Sequence, residues 1–575
     1  MKGFFNRLLR VDLSKQSYAY EEIPDAVLKK NLGGKGLGVH LLSQENKPHV
    51  NALSPENCFI LTLGPVTGTK MWSQSRFGAF AKSAATGGFG ESYCGGDLAP
   101  KIKGCGVDAV ILQGGARDLT FLSIDENGVT FHEASHLKGK DTFETEEHIL
   151  KHSSPSASAL VIGPAGEHQA VCACIKVNRW RSLGRGGMGA VLGAKKIKGI
   201  SFAGARKCEI ADAGLIQAVI KRIAQTGKGN PVTENYQKLG TPSQVKTTNT
   251  QKCFPTQYWQ SGYFEKWENI SADYMRANFE VKSHGCPTCF LQCTKLSKVK
   301  HGRHAGLELE GPEYETIYSF GGLNCIDSLE EIVWLNDLCD RLGLDTMTAG
   351  NLAAFAVEAR KRGKMDFAID YNQPDRVAEL LQLIAHRRGV GDLLAKGIKE
   401  AAQTLGLEDF AVHVKGLEPA GFDPRVLKGM GLSYATAARG ACHLRGTFYK
   451  AELSGQMPKE QIEGKAKLHI DYEDRAAIFD SLVLCRFYRD LIVWDDLLDL
   501  VAGTTGMKLT KQQLEDLAND ITQSTRGFNS REGLDASTDT LPKAFFDANR
   551  EGACLTRQDL GTMLKEYNQI RERKV

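Results

Sequence analysis

The sequence predicts an α+β protein with a β-rich N-terminal domain over residues 1–206 and two mainly helical domains over 207–411 and 412–575. Two observations predict this order. Short β-branched or apolar runs separated by Gly-Pro and Gly-Gly turns recur as far as about residue 206. Beyond Ile210, apolar residues recur at spacings of three and four, as in amphipathic helices. A chain of 575 residues is also too long for one hydrophobic core, so several domains are expected.

Glycine and short strands characterise the first domain. Twenty-eight of the sixty glycines precede residue 205. Glycine is needed where backbone lies against a ligand, so this domain is expected to wrap one. No repeated βαβ unit with a dinucleotide fingerprint accompanies the glycines, which disfavours a Rossmann fold. The predicted strands are Cys58–Leu63, Asp108–Leu112, Ala159–Ile162, Val171–Val177 and Gly199–Phe202.

Helical periodicity is clearest in the second domain. Leu329, Ile332, Val333, Asn336, Cys339 and Asp340 share one face of a predicted helix, and Gly343 follows where a left-handed C-cap is favoured. Two further stretches, Ala349–Arg360 and Arg376–Leu405, are predicted to be helical. The polar, turn-rich segment Thr226–Pro255 is predicted to be a long surface loop.

Composition excludes several functional classes. The net charge of +4 gives no basis for binding nucleic acid or an anionic membrane. No stretch approaches the roughly 18 apolar residues of a membrane span, and the N-terminus lacks a signal-peptide pattern. Fifteen widely spread cysteines in such a chain are expected to be thiols or metal ligands. These features predict a cytoplasmic protein.

The cysteine triplet is the most specific local signal. Cys286, Cys289 and Cys293 form a C-x2-C-x3-C pattern that can surround a compact metal centre. An iron–sulfur cluster normally takes four thiolates, so a fourth ligand would come from elsewhere in the chain. A zinc site and chance remain alternatives at this point. The order of spacings differs from the C-x3-C-x2-C of radical-SAM enzymes.

Two related motifs stand at the ends of helical patterns. Asp340-Arg-Leu-Gly-Leu-Asp345 and Asp480-Ser-Leu-Val-Leu-Cys485 share the form D-x-x-x-L followed by Asp or Cys. Alone, they are two helix ends with polar caps. With the triplet and the ordered blocks that follow, the chain resembles the aldehyde ferredoxin oxidoreductase family over nearly its whole length. The blocks are Gly3–Asp12, Gly64–Gly68, Lys82–Ser83, Gly95–Gly96, Gly163–Glu167, Gly184–Gly189, Glu310–Glu315, Asp423–Arg425, Arg439–His443 and Asp539–Lys543.

The resemblance implies a set of cofactors. It implies a tungsten bis-molybdopterin, for which the sequence cannot distinguish tungsten from molybdenum, with Mg²⁺ between the pterin phosphates. It also implies a 4Fe-4S cluster on Cys286, Cys289, Cys293 and Cys485. Val483 replaces the family's usual glycine, so a differently shaped turn is expected there. The implied cofactor contacts are Arg76, Gly95, Arg181, Leu183, Arg185, Asp340, Gly343, Leu344, Asp345, Arg445, Asp480 and Leu484.

The implied reaction oxidises an aldehyde plus water to a carboxylic acid and passes electrons through the cluster to ferredoxin. Glu313 and His443 are the implied proton-transfer residues, and Glu315 is the nearest rival of Glu313. Burial of Glu313 would raise the pKa of its carboxyl group toward the range of a general base. His443 would stabilise negative charge on the reacting oxygen.

Two other functions remain open. One is a related tungsten enzyme that reduces a carboxylic acid or an aromatic acyl-thioester within a larger complex. The other is an inactive electron-transfer scaffold, against which Glu313 and His443 speak. Substrate selectivity is expected in two loops, Gly229–Tyr263 and Leu444–Ile462.

The resemblance bears on assembly as well. Trp334 and Asp337 stand where family members that bind an extra mononuclear metal at a dimer interface carry Glu and His. That metal is therefore expected to be absent. The family's dimer contact is doubtful with it, and both a homodimer and a hetero-oligomer remain open.

Overall fold

The computed structural model describes residues 1–573. By internal contacts, the chain divides into two compact units. Unit 1 comprises Met1–Asn230, Cys286–Phe290 and Asp474–Leu534; unit 2 comprises Pro231–Gly285, Leu291–Glu473 and Asp535–Val575. The N-terminal region is rich in strands and the later regions are mainly helical, which confirms the predicted fold class. The three domain boundaries drawn from the sequence stay a prediction.

Most strands lie before residue 203. Strands begin or end within a residue or two of four of the predicted runs, whereas the run Val171–Val177 is a strand only in its last three residues. The strands are β1 Arg7–Asp12, β2 Ser17–Glu22, β3 Phe59–Thr62, β4 Phe77–Lys82, β5 Phe89–Cys94, β6 Ala109–Gln113, β7 Thr120–Ile124, β8 Val129–Glu133, β9 Ser158–Val161, β10 Ile175–Val177, β11 Arg181–Leu183, β12 Ile197–Phe202, β13 Phe279–His284, β14 Thr294–Val299 and β15 Glu308–Glu310.

The α-helices lie mostly after residue 210. None of the helices in residues 1–573 is both long and apolar enough to cross a membrane. They are α1 Asp25–Asn31, α2 Gly34–Glu45, α3 Leu98–Gly104, α4 Thr142–Lys151, α5 Pro164–Glu167, α6 Met188–Ala194, α7 Ala213–Gly227, α8 Pro231–Lys238, α9 Gln244–Thr250, α10 Ala272–Asn278, α11 Tyr314–Ile317, α12 Leu329–Leu342, α13 Thr346–Lys361, α14 Pro374–Ala385, α15 Val390–Leu394, α16 Ile398–Leu405, α17 Lys428–Thr436, α18 Tyr449–Leu453, α19 Lys465–Leu482, α20 Trp494–Thr505, α21 Lys511–Arg531 and α22 Arg557–Arg573.

Unit 1 is built on two mixed six-stranded sheets. The first has the order β2-β1-β6-β3-β4-β5, and the second has the order β11-β10-β9-β12-β7-β8. Within each sheet one pair is parallel, β1 with β6 and β12 with β7, and the other pairs are antiparallel. This topology is not that of a doubly wound dinucleotide fold, in which the sheet is mostly parallel.

The two faces of the first sheet pack in different cores. Phe59 and Leu61 lie in a core shared with the second sheet, α3 and α6, whereas Ile60 lies in a core with α1, α2 and Phe528 of α21. Successive strand residues point to opposite faces, so a strand buried on both sides reads as a continuous apolar run. A third, smaller core joins the second sheet to α4.

Unit 2 contains a three-stranded antiparallel sheet, β13-β14-β15, and most of the helices. The predicted helix with a glycine cap is confirmed: α12 ends at Leu342, and Gly343 has φ 73°. The predicted stretch Ala349–Arg360 lies within α13. The stretch Arg376–Leu405 forms three short helices instead of one, with Gly389 and Gly397 at positive φ between them.

The prediction of a surface loop over Thr226–Pro255 is wrong. The segment contains the helices α8 and α9, and it buries Tyr236 and Val245. Its polar composition gave no indication of these two short helices. Helix α8 begins with a proline, whose missing N–H costs nothing because the first N–H groups of a helix have no partner within the helix. Polar residues such as Asn249, which bonds to the backbone of Phe264, fill the buried side.

Candidate functional site

Three predicted cofactor residues, Arg76, Gly95 and Arg181, lie near the thiol of Cys286 in unit 1. Arg181 Nη1 lies 3.2 Å from Cys286 Sγ, and the backbone N–H of Gly96 donates to the same sulfur at 3.3 Å. A Cβ atom at Gly95 would lie 3.0 Å from this sulfur, 3.5 Å from Arg181 Nη1 and 3.8 Å from Arg76 Nη1. A side chain at position 95 would therefore crowd the Cys286 sulfur, and the surrounding donors favour an anion.

Strand ends place these side chains. Gly95 directly follows β5, Arg76 directly precedes β4, and Arg181 begins β11. Arg76 Nη2 donates to the carbonyl of Tyr93 at 2.9 Å, which holds its guanidinium beside the β5 exit. Two further predicted residues follow on β11 and its turn: Leu183 and Arg185, both buried.

Two more of the proposed cluster cysteines belong to unit 1. Cys289 Sγ lies 3.2 Å from the hydroxyl of Tyr488. Cys485 immediately precedes the 3-10 turn Arg486–Tyr488, which carries that tyrosine. Cys293 belongs to unit 2, where it immediately precedes β14. Convergence of the four thiols on one cluster stays a prediction.

Cys94 differs from these cysteines in its surroundings. Burial raises the pKa of its thiol to about 12, although the nearby Arg76 and Arg181 act in the opposite direction. Its Sγ lies 3.3 Å from the carbonyl of Gly95, to which the thiol can donate. A protonated, fully buried thiol is a packing group, which agrees with leaving Cys94 out of the predicted ligand set.

The motif Asp480–Cys485 forms a tight turn at the end of α19. Arg486 Nε and Nη2 donate to the Asp480 carboxylate at 3.1 and 2.6 Å. Val483 has φ 57°, and the N–H of the buried Leu484 donates to the carbonyl of Phe479 at 2.7 Å. Val483 adopts the left-handed conformation that glycine would supply, and the expectation that this turn differs from the family's stays a prediction.

The motif Asp340–Asp345 makes the same turn at the end of α12. Asn336 Nδ2 donates to Asp340 Oδ2 at 2.9 Å, and the N–H of Leu344 donates to the carbonyl of Cys339. Asp345 caps α13 by accepting from the N–H of Met347 at 3.1 Å and from the hydroxyl of Thr348 at 2.9 Å. The carboxylates of Asp340 and Asp345 are both buried.

Glu313 stands at the start of α11 in unit 2. It is partly exposed, between the buried Pro312 and Tyr314, so the stretch is less buried at this position than the sequence predicted. The hydroxyl of Thr241 donates to Glu313 Oε2 and also accepts from the N–H of Tyr314 at 3.0 Å. Thr241 lies in the segment predicted to be a loop, and no sequence signal identified it.

His443 lies next to Glu315, the alternative to Glu313 as the proton-transfer carboxylate. Its Nε2 is 3.5 Å from Glu315 Oε1, and Glu315 Oε2 accepts from the N–H of Gly421 at 3.0 Å. The rings of Phe422 and Tyr449 stack on each other and lie 6.1 and 6.4 Å from the imidazole. An imidazole, a carboxylate and an aromatic wall can together bind and protonate a small carbonyl compound. Arg445, predicted to contact the cofactor, is buried two residues further along the chain.

Two buried cationic groups near these residues were given no role of their own by the sequence analysis. Arg439 Nε and Nη2 lie 3.1 and 2.9 Å from Cys442 Sγ, and so hold the residue before His443. Lys295, on β14, is buried, and burial lowers its pKa while Cys293 and Glu313 act in the opposite direction. Lysine and arginine are usually surface residues, so only the burial of these two side chains in the structure distinguishes them from other cations of the chain.

Trp334 and Asp337 make ordinary structural contacts. Trp334 stacks on His304 at 5.0 Å between ring centroids, and Asp337 accepts from Arg341 at 2.8 Å. These contacts involve no feature of a metal site at either residue. Absence of the interface metal stays a prediction.

Comparisons with known proteins identify the class and then the family. The description "Aldehyde ferredoxin oxidoreductase, N-terminal domain" matches residues 8–204, and "domains 2 & 3" of the same family matches residues 218–573. The chain therefore belongs to the aldehyde ferredoxin oxidoreductase family, and it is an oxidoreductase.

Several relatives extend over almost the full chain. The tungsten-containing aldehyde ferredoxin oxidoreductases of Pyrococcus furiosus and Thermococcus kodakarensis are each 33% identical, covering 95% of this chain and 92% of theirs. The aliphatic sulfonate oxidoreductase WOR-like subunit of Pyrococcus furiosus is 26% identical, covering 99% of this chain and 94% of its own.

A solved structure shares the fold. It is the active-site complex BamBC of benzoyl coenzyme A reductase with 1,5-dienoyl-CoA. Its TM-score is 0.84 at 22% identity, with 99% of this chain and 94% of that chain covered. At this identity the likeness concerns the fold alone.

Proposed function

We propose that this chain is a tungsten-pterin oxidoreductase that oxidises an aldehyde and water to a carboxylic acid. Electrons would leave through a 4Fe-4S cluster on Cys286, Cys289, Cys293 and Cys485 to ferredoxin or a similar electron-transfer subunit. The proposal takes its reaction from the 33% identical tungsten enzymes. The observation that carries it is the set of hydrogen-bond donors around Cys286 Sγ, together with the two glycines, Gly95 and Gly96, beside that sulfur.

This set fits a large anionic cofactor beside a thiolate-bound cluster. Arg76, Arg181 and the N–H of Gly96 supply positive or donor groups, and Gly95 leaves room that a Cβ would fill. Arginine and glycine-exposed backbone amides are suited to phosphates and to cluster thiolates. We expect Arg185 and Leu183 to extend this surface. A magnesium ion between two pterin phosphates would neutralise further negative charge of the cofactor.

The two aspartate motifs fit the polar edges of a pterin. Asp340 and Asp480 are buried carboxylates at helix ends, and each has an N–H-bearing neighbour, Asn336 or Arg486. A pterin edge presents amine and ring N–H donors, which a carboxylate accepts. We propose that Asp340 and Asp345 bind one pterin and that Asp480 binds the other. Gly343, Leu344, Leu484 and Arg445 would line these contacts.

When bound, the cofactor would supply the capacity to take up two electrons. The chain's own residues would handle water and protons. Glu313 would accept a proton from the water that adds to the aldehyde carbon, with the Thr241 hydroxyl orienting its carboxylate. His443 would stabilise negative charge on the carbonyl oxygen, and Glu315 would orient its imidazole. The balance is one aldehyde and one water giving one acid, two electrons and two protons.

The aromatic wall beside His443 would exclude bulk water from this step. Phe422 and Tyr449 are both buried and stacked at 4.0 Å between ring centroids. Exclusion of water strengthens the charge interactions of His443 with a substrate oxygen. Tyr449 lies in the segment Leu444–Ile462, which supports the proposal that this segment contributes to substrate selectivity.

The first experiment is metal analysis combined with a dye-linked assay. The full chain, purified without oxygen, is expected to hold tungsten or molybdenum and roughly four iron atoms, and to reduce a viologen dye with an aldehyde. A reproducible fifth iron would show that another pair of residues binds the interface metal. Fully loaded protein that ignores aldehydes but reduces a carboxylic acid or an acyl-thioester would support the reducing alternative. Loaded protein inactive in both directions would support the scaffold.

The second experiment tests the proton-transfer residues. Glu313→Gln is expected to lower kcat by roughly 10²-fold or more, the scale of a lost general base, with metal content unchanged. His443→Asn is expected to act similarly, and the double variant to lose less than the product of the two effects. Glu315→Gln is the matched comparison and is expected to lose less. The reverse order, with Glu313→Gln near normal, would make Glu315 the base.

A further inference from the structure

A cluster of histidines lies in unit 1 around the end of α4, and none of them is among the proposed site residues. His136, in the 3-10 turn Ser135–Leu137, and His148, on α4, place their Nε2 atoms 2.8 Å apart. His152 follows one turn after His148, and the two rings stack at 4.2 Å between centroids. Four of the fourteen histidines, including His132 at the end of β8, fall within residues 132–152.

The proton positions on two of these imidazoles follow from their neighbours. His152 Nδ1 lies 2.8 Å from the carbonyl of His148, and a carbonyl can only accept, so Nδ1 carries the proton. The lone pair of the neutral ring is therefore on Nε2. His136 Nδ1 faces Glu133 Oε2 at 3.7 Å, which favours the same tautomer. A backbone carbonyl or a carboxylate behind the outer nitrogen is the usual support of a metal-binding histidine.

The short distance between His136 and His148 requires a hydrogen atom or a metal ion between the two nitrogens. If both Nε2 atoms presented lone pairs at 2.8 Å they would repel each other, so either a proton or a metal ion must lie between them. Two nitrogen ligands bound at about 2.1 Å lie roughly 3.0 Å apart at the right angles of an octahedral ion and roughly 3.4 Å apart at tetrahedral angles, so the two rings would need to separate by roughly 0.2–0.6 Å.

His132 lies near the end of β8, just before the turn that carries His136. His132 Nε2 is buried and makes no hydrogen bond to any described residue, and its ring stacks on Phe121. Neutral imidazoles are the form that binds a metal.

We propose that His136 and His148, completed by His152, bind a divalent first-row transition-metal ion such as Zn²⁺ or Ni²⁺. Imidazole nitrogens are preferred ligands of these ions, and histidines four residues apart on a helix are a common chelating pair. No group of three such side chains among residues 1–573 already converges on one point, so His152 must rotate to join the pair. The ion would tie the 3-10 turn to the end of α4.

Calorimetric titration of Ni²⁺ into the purified full chain tests this site. One Ni²⁺ is expected to bind saturably, and His148→Ala and His136→Ala are each expected to weaken the binding by roughly tenfold or more. His386→Ala is the matched control, because His386 also follows a helix and bonds through Nδ1 to the carbonyl four residues earlier, at 2.9 Å. The affinity of the His386→Ala variant for Ni²⁺ is expected to equal that of the unmodified chain.

Other outcomes would overturn the proposal. Binding that survives unchanged in both histidine variants would assign the ion to other groups, such as the exposed Cys554. An unmodified chain without saturable binding would leave a hydrogen-bonded histidine pair only. Ni²⁺ should also raise the thermal unfolding midpoint of the unmodified chain but not that of His136→Ala. His136 lies on an exposed turn, so this variant keeps the test decisive if His148→Ala folds poorly.

Discussion

The turn after α12 in unit 2 and the turn after α19 in unit 1 have the same backbone shape but different sequences. Gly343 and Val483 occupy the same position, with φ values of 73° and 57°. In each turn the following leucine donates to a carbonyl five residues earlier, at 2.9 Å in unit 2 and 2.7 Å in unit 1. A glycine is therefore sufficient for this turn but not necessary.

The valine adopts a conformation that is unfavourable for it. A left-handed β-branched residue costs about 1–2 kcal/mol, whereas glycine adopts it freely. Val483 is fully buried, and its Cγ2 lies 2.9 and 3.0 Å from the places that Cβ atoms of Gly34 and Gly64 would occupy. Burial of a valine side chain contributes about 1.5–3 kcal/mol, enough to offset the strain. Two glycines distant in sequence thus provide the space that makes this valine acceptable.

The aspartates of the two turns also differ. Asp480 forms a buried two-point ion pair with Arg486, whereas Asp340 accepts from the neutral amide of Asn336. A buried charge pair is costly to break because one uncompensated charge remains. The turn in unit 1 is therefore expected to be the more sensitive of the two to loss of its aspartate.

The largest difference is expected at the last residue of each motif. Cys485→Ser should remove the cluster as completely as Cys289→Ser, because a four-iron cluster needs four thiolates. Asp345→Ser, at the matching position in unit 2, should leave the iron content unchanged. Iron analysis and visible absorption measure both. An unchanged spectrum in Cys485→Ser would refute the fourth-ligand assignment, and Cys94→Ser and Cys172→Ser serve as controls that should keep full iron.

The next difference concerns the first aspartate. Asp480→Ala should destabilise unit 1 by about 3–5 kcal/mol, because it leaves the Arg486 guanidinium buried without its carboxylate. Asp340→Ala should cost less, about 1–3 kcal/mol, the range for leaving the Asn336 amide without its acceptor. Urea unfolding followed by circular dichroism compares the two. Equal midpoints would show that the ion pair contributes no special sensitivity.

The smallest difference is expected from exchanging the turn residues. Gly343→Val should destabilise the protein by about 1–2 kcal/mol through backbone strain. Val483→Gly should also destabilise it, by about 1 kcal/mol, because lost burial outweighs relieved strain. The shift in the thermal unfolding midpoint shows, for each of the two variants, whether the substitution stabilises or destabilises the protein. A Val483→Gly variant more stable than the unmodified chain would show that packing against Gly34 and Gly64 contributes less than the strain.

Local patterns predicted the architecture well. Apolar runs and turns predicted β3, β6, β9 and β12, and the three-and-four spacing predicted α12 with its glycine cap. The family followed from ordered motifs along the whole chain, and the comparisons confirm it. These features are encoded within short windows, where backbone preference and periodicity act directly.

Patterns failed where a segment's structure depends on distant partners. The helices α8 and α9 carry polar residues that find hydrogen bonds in unit 2, so composition alone suggested a loop. The pairing of His443 with Glu315 was not predicted, because 128 residues separate them in sequence (443 − 315). Spatial contact between such residues leaves no local signal.

The sequence by itself determined the order of β-rich and helical regions, the family, and which residue types are available for the cofactor and the protons. Tertiary structure alone decided that Gly95 lies against Cys286, that Arg486 neutralises Asp480, and that Val483 turns as glycine would. The physical reason is that backbone preferences act over a few residues. Burial, charge pairing and excluded volume depend instead on side chains that only the folded chain brings within a few ångströms.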